Sequence, residues 1–430
     1  MIRPGRPALL LMVVLGVAIA SYGCASQTSG KPVAAPSLAA PPSRPGPSAS
    51  PRGYGVVSRS APSCTTAAAG APALAASATA MTALQSSASK TGAAPAAPFG
   101  VAVTADGRWG FASLRDGLGV FRLAAGRAPV LLRIIALPAA PATGVVLSPD
   151  GRLLLVADGE TGAVVVSVRA AESGANGAIL GTLSGPGAQD GGAIEVAVSP
   201  DGRYAFVSLE RFAEIAVFNL KAALAARFGR SDYVGVIPTQ VAPVGLAFAP
   251  DSRWLYSTSE ARNFRSQVGT LEVIKVALAE SDPARSVAAR VRAGCNPVRV
   301  TTSANGSVVW VTARASDALL AFSAAALRAD PRSALLADVA VGEAPVGLAL
   351  VKDSSLIVVA DSNRFDVSGQ HADLAVVDVH DALAGRPALL GYLRAGIFPR
   401  DVAANPAGSA VLVANYVSGQ VESVNVADLP

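Results

Sequence analysis

Ser148-Pro149-Asp150-Gly151-Arg152 and Ser199-Pro200-Asp201-Gly202-Arg203 are two copies of one turn, and the apolar runs around them decide the fold. Val145-Val146-Leu147 leads into the first copy and Val196-Ala197-Val198 into the second. In such a turn Pro pre-sets φ, Asp bonds the backbone ahead of it, and Gly accepts a positive φ. Degenerate copies centre on Asp106-Gly107, Asp251-Ser252, Asn305-Gly306, Asp353-Ser354 and Ala407-Gly408, which makes seven. Counted from the Asp position they lie 44, 51, 50, 54, 48 and 54 residues apart. A period of about 40–50 residues with several strands per unit is the signature of a β-propeller.

One repeat read in detail supports this. In the second, residues 144–148, 153–158, 163–168 and 178–183 read as four short antiparallel strands. They are apolar almost throughout, as expected where both faces of a blade pack on neighbours. The seventh repeat is one strand short, because only Ala427-Asp428-Leu429-Pro430 follow its third strand at 420–426. A ring with that deficit closes by borrowing a strand from upstream, which also removes an exposed edge. Residues 54–58 are the more β-like source. Residues 73–84 are the other, though their alanines also suit a helix. The expected fold is all-β: a seven-bladed β-propeller of four-stranded antiparallel blades over residues 98–430. Its closing strand should come from residues 53–97.

The N-terminus reads as an export signal over residues 1–23. Arg3 and Arg6 precede an apolar run at 8–20, too short to span a bilayer. Ala18-Ile19-Ala20 offers a site to ordinary signal peptidase, which would release a secreted protein. Ser21-Tyr22-Gly23-Cys24 resembles a bacterial lipobox, in which Cys24 carries lipid, although Ser21 and Tyr22 depart from the usual residues. Residues 24–52, dense in Pro, Ser, Ala and Gly, read as a disordered tether between anchor and domain. Cys64 and Cys295 then remain, an even number in an oxidising compartment, and are a candidate disulfide.

The second strand of several repeats carries a further motif: Phe206-Val207-Ser208-Leu209, Tyr256-Ser257-Thr258-Ser259, Trp310-Val311-Thr312-Ala313 and Leu412-Val413-Ala414-Asn415. With the turns before it, this resembles the bacterial YVTN-repeat and lactonase-like seven-bladed propellers. The resemblance implies a fold, and an exported binding or surface protein more often than a lactone-ring enzyme. It also implies that a lactonase-type member would set Arg, Glu and His around the channel mouth.

Chemistry is sparse. The two histidines, His371 and His380, have no partners that complete a metal set, and no Cys-x-x-Cys-His haem site occurs. No metal and no cofactor are expected. The net charge of +5 comes from scattered Arg without a basic run, a mildly basic surface rather than a nucleic-acid footprint.

The repeat register supplies one candidate site. Six residues before each Asp stand Gly100, Gly144, Glu195, Gly245, Arg299, Gly347 and Asp401. This position opens the innermost strand, where seven strands crowd the axis and Gly is favoured. Glu195, Arg299 and Asp401 should therefore converge at the channel mouth, with Arg400 beside the last. They form either a polar site in which Arg299 engages a carboxylate or phosphate, or a structural set of mutually neutralising charges. No His stands at this position, which weakens an enzymatic reading. Two longer insertions, 361–372 and the one holding Asn263-Phe264-Arg265, are candidate binding loops, with Phe365 and Phe264 as exposed anchors. The expected function is binding or scaffolding at the cell envelope by a lipid-anchored monomer. Its partner would be a small anionic ligand or an envelope protein. The alternative is a lactonase-type hydrolase or cyclase.

Overall fold

The computed structural model describes residues 63–64, 68–84, 97–115, 117–138, 141–185, 190–228, 232–261, 267–365 and 371–430. Residues 1–23, read as an export signal, residues 24–52 with Cys24, read as a tether, residues 54–58 and Asn263-Phe264-Arg265 lie outside the described residues.

Seven antiparallel sheets of four strands follow one another along the chain. Their innermost strands are Val101–Val103, Val145–Leu147, Ala193–Val198, Pro243–Phe248, Pro297–Thr302, Pro345–Val351 and Pro399–Ala404. Each touches the innermost strands of the blades before and after it, and the last touches the first, so the ring is complete. The seventh sheet is finished by Thr79–Ala83, antiparallel to Gln420–Val424 with Met81 opposite Glu422. The closing strand thus comes from the alanine-rich candidate. Local helix preference yields there to an open sheet edge that needs backbone partners.

The repeated turn works as its residues dictate. Ser148 Oγ donates to Asp150 Oδ1 (2.6 Å) and accepts from the Leu153 N–H (2.9 Å). Asp150 Oδ1 also accepts from the Arg152 N–H, 3.1 Å away. Thr104 with Asp106, Ser199 with Asp201, and Ser303 with Asn305 repeat this arrangement. Gly151 takes φ 68°, and Ser252 takes φ 60° at the same place in the fourth repeat.

Short helices stand between the third and fourth strands of five blades, at Val168–Ser173, Leu220–Ala226, Val276–Ala279, Ala324–Ala329 and Val379–Leu383. The strand pattern alone did not announce them. Four start at a cap whose side chain accepts a backbone N–H of the first turn: Ser167, Asn219, Ser323 and Asp378. The core lies between blades, where Trp310, Tyr256, Phe111, Phe206, Phe218 and Phe322 are fully buried.

The N-terminal segment straps the outside of the ring. A disulfide joins Cys64 to Cys295, the last residue of the outer strand of blade four, with the Cα atoms 5.3 Å apart. Further on, the Tyr392 hydroxyl donates to the Ala69 carbonyl (2.6 Å), and the Leu74 N–H donates to the Tyr392 carbonyl (2.8 Å).

The hydroxyl in the third place of the YVTN-like motif has a specific task. Thr312 Oγ1 accepts the Arg299 N–H (3.1 Å) within its blade and donates to the Val346 carbonyl (2.7 Å) of the next. Thr258 does the same with Gly245 and Val298, and Ser208 with Glu195 and Val244. These staples fix the innermost strands against each other at the level where the site lies.

Candidate functional site

Glu195, Arg299 and Asp401 meet at the channel mouth. Arg299 Nη2 lies 3.0 Å from Glu195 Oε2, and its Nε lies 3.6 Å from Asp401 Oδ1. The side chains are 8%, 14% and 15% exposed for Arg299, Glu195 and Asp401, so the triad is shut in rather than presented to solvent. Asp401 Oδ2 also accepts the Val101 N–H (3.0 Å), tying blade seven to blade one, where Ala414 lacks the stapling hydroxyl. Burial pushes the Glu195 carboxyl up to about 7; Arg299 opposes the rise and Asp401 adds to it. Burial also disfavours the Arg299 charge, but Glu195 and Asp401 outweigh that and hold its pKa above the usual value.

The ring glycines have a different cause from axial crowding. A Cβ at Gly144 would lie 2.7 Å from the Ile194 carbonyl oxygen, and one at Gly245 would lie 2.5 Å from that of Val298. The next blade's backbone forbids a side chain there, not the channel itself. The pairing register shifts beside all three charged positions, at Ala193/Glu195, Pro297/Val300 and Pro399/Asp401, and equally beside Gly245 and Gly347, at Pro243/Leu246 and Pro345/Leu348. The bulge therefore belongs to the opening of the innermost strand in five blades, whether glycine or a charged residue stands there.

One residue earlier in the register stand Phe99, Thr143, Ile194, Val244, Val298, Val346 and Arg400. Val244, Val298 and Val346 pack together with Ile194 against them, an apolar plug at the mouth. Arg400 breaks that rule. Its guanidinium carbon lies 3.6 Å from the Phe99 ring centroid, 5.7 Å from that of Tyr416 and 6.0 Å from that of Phe398. Its Nε is buried without a hydrogen-bond partner. Burial lowers its pKa to about 9, and the neighbouring Arg299, Arg314 and Arg364 add to the drop.

Above the plug opens a pocket of about 280 Å³ whose polar lining includes Glu210, Glu260, Arg299, Arg314, Arg364 and Arg400. Arg314 and Glu260 form a buried ion pair at 2.7 Å. Arg364 stands exposed at the rim, with its guanidinium carbon 5.8 Å from the Phe398 ring. Glu195 and Asp401 do not line the pocket; they back Arg299 from beneath.

The insertion at 361–372 therefore does deliver a residue to the mouth, but it is Arg364. Phe365 is half-buried rather than an exposed anchor, and residues 366–370 lie outside the described residues. His371 and His380 are both exposed and lie away from this pocket. Among the described residues no cluster of His, Cys, Asp or Glu suits a metal ion.

Glu210, Glu260 and Arg314 were missed in the sequence although the register holds them. The residue after each YVTN-like tetrad is Arg115, Gly159, Glu210, Glu260, Arg314, Ser362 or Tyr416, a second ring above the first.

No protein-family model matches the chain, and no curated protein matches it. Among solved structures it is similar to the Kuenenia stuttgartiensis hydrazine synthase, with a TM-score of 0.61 at 15% identity. The match covers 80% of this chain and 100% of that one. At that identity the likeness is one of fold, that of a β-propeller, and a fold does not by itself imply a function.

Proposed function

We propose that the protein binds a small monoanion at the channel mouth, between Arg364 and Arg400. The observation that carries this reading is Arg400. It occupies a register position that five other blades fill with Phe99, Ile194, Val244, Val298 and Val346. A cation placed in an apolar plug, stacked on one aromatic ring and near two more, breaks a local rule; such breaches concentrate at functional sites. The charge balance supports a single negative charge on the ligand. Of the five guanidinium groups that line the pocket, Arg211 pairs with Asp190, and the other four (Arg299, Arg314, Arg364 and Arg400) face four carboxyl groups (Glu195, Asp401, Glu260 and Glu210). Burial raises the pKa of Glu195 to about 7, which leaves a small positive surplus near neutrality.

The proposal includes the cellular setting read from the chain: export, a lipid on Cys24 and kinship with the YVTN-repeat propellers. Mass spectrometry of the mature N-terminus tests the anchor, since an unmodified Cys24 behind a free Ser21 would rule it out. Anion binding is tested by thermal unfolding in sodium acetate against sodium chloride at equal ionic strength. Acetate should raise the midpoint, and less so in Arg364→Ala, an exposed site whose loss spares the fold. A response to acetate that is the same in the parent and in Arg364→Ala would overturn the proposal.

A second reading has one observation in its favour. A carboxyl titrating near 7, as Glu195 does, is suited to general acid–base work, as a lactonase-type hydrolase would require. Its place beneath the pocket, held by Arg299, favours the structural role. Turnover of a small lactone by the pure protein, abolished in Glu195→Gln, would reverse that preference.

A further inference from the structure

A second opening adjoins the arginine pocket. It is a cleft of about 450 Å³ lined by Ala97, Phe99, Arg115, Pro141, Ala142, Thr143 and Tyr416. Phe99, Pro141 and Thr143 line both spaces, so the two adjoin at these residues. Arg400 stacks on that ring. The cleft differs from the pocket in chemistry. Its walls are mostly apolar or aromatic, and the Thr143 hydroxyl is already engaged with the Ala193 carbonyl at 2.8 Å. Arg115 stands exposed at its edge. The Phe99 and Tyr416 rings meet edge-on, with centroids 6.1 Å apart. A flat hydrocarbon group could pack beside them. Binding sites of this kind combine an apolar body with a few polar groups that fix orientation.

We infer that the ligand is an amphipathic carboxylate, its carboxylate between Arg364 and Arg400 and its apolar body lying across Phe99 in the adjoining cleft. The inference rests on the anion-binding reading of the pocket and extends it to the substance bound. Simple anions would use the pocket and leave the adjoining cleft unfilled. A phosphate dianion would face the carboxyl groups of Glu210 and Glu260 with more charge than the site balances. The guanidinium pair offers planar donors that match a carboxylate.

The test is calorimetric titration of the intact protein with three probes: 3-phenylpropionate, acetate and 3-phenylpropan-1-ol. The aromatic carboxylate should bind about tenfold or more tightly than acetate, because it buries a ring as well as a charge. The alcohol should bind too weakly to measure. In Ala97→Trp, which fills the cleft without touching either guanidinium, 3-phenylpropionate should fall to the level of acetate while acetate is unchanged. Equal affinity for acetate and 3-phenylpropionate would overturn this inference and leave the anion site standing. Alcohol binding as strong as that of the acid would overturn the assignment of the head group. Failure of both anions to bind would overturn the anion site itself, and this inference with it.

Discussion

The guanidinium of Arg400 lies over the ring of Phe99, 3.6 Å from its centroid, and so joins the last blade to the first at the channel mouth. Both residues stand at the register position that elsewhere forms an apolar plug. The ring seam and the proposed binding site are therefore the same place. Just beneath, Asp401 makes another seam contact, through the Val101 N–H, and pairs with Arg299.

Arg299 is the cation that neutralises two buried carboxylates. Arg299→Met should lower the free energy of unfolding at pH 7.5 by about 3–5 kcal/mol, since removing one partner strands the others. The deficit should shrink at pH 5, where Glu195, already raised to about 7 by burial, takes up a proton and needs no partner. Urea unfolding at the two pH values checks this. A deficit that is absent, or that grows on acidification, would contradict the buried-triad account.

The staple hydroxyls carry a separate prediction. Thr312→Val keeps the shape but leaves the Arg299 N–H and the Val346 carbonyl without their bridge. It should cost about 1–3 kcal/mol. Thr312→Ser, which keeps the hydroxyl, should cost much less. Chemical denaturation of the two variants in parallel separates hydrogen bonding from packing.

The repeat and its period were plain in the chain because the turn needs a hydroxyl, Asp or Asn, and Gly at set places, and those needs recur in four of the seven blades, with degenerate forms in the rest. The convergence of Glu195, Arg299 and Asp401 was legible for the same reason, since equal register means equal height in the ring. The closing strand was less so. Residues 79–83 read as strand only because Gln420–Val424 offers them an edge, a tertiary fact without a local sign. Of the four residues read for the mouth, Arg299 and Arg400 line the pocket, and Glu195 and Asp401 lie beneath it. The register also carries Glu260 and Arg314, but their 2.7 Å pairing and the stacking of Arg400 depend on how side chains reach between blades. Residue order alone does not hold that information.

The pH dependence of folding has a definite sign. Burial raises the Glu422 carboxyl to about 7, against 4.5 for a free side chain, and Asn415 Nδ2 donates to it at 2.7 Å. The folded state then binds more protons than the unfolded one between about pH 4.5 and 7, so stability is present below that window and lost as pH rises through it. Glu422→Gln removes this loss. The variant should match the parent at pH 5 and exceed it by about 1–3 kcal/mol at pH 8. Denaturation curves at both values check the prediction, and a variant weaker than the parent at pH 8 would refute it.

The central claim, that Arg400 is kept in the plug to hold an anion, is tested most directly by Arg400→Leu. Thermal unfolding and calorimetric titration with 3-phenylpropionate would be measured on the same preparation. Leucine restores the apolar character of Ile194, Val244, Val298 and Val346 at this register position and removes a cation whose pKa burial has driven down to about 9. The account predicts a higher unfolding midpoint together with loss of binding, the pattern of a residue that trades stability for function. A variant with a lower midpoint and unchanged binding would show that Arg400 is a structural clamp on the seam, and would contradict the account.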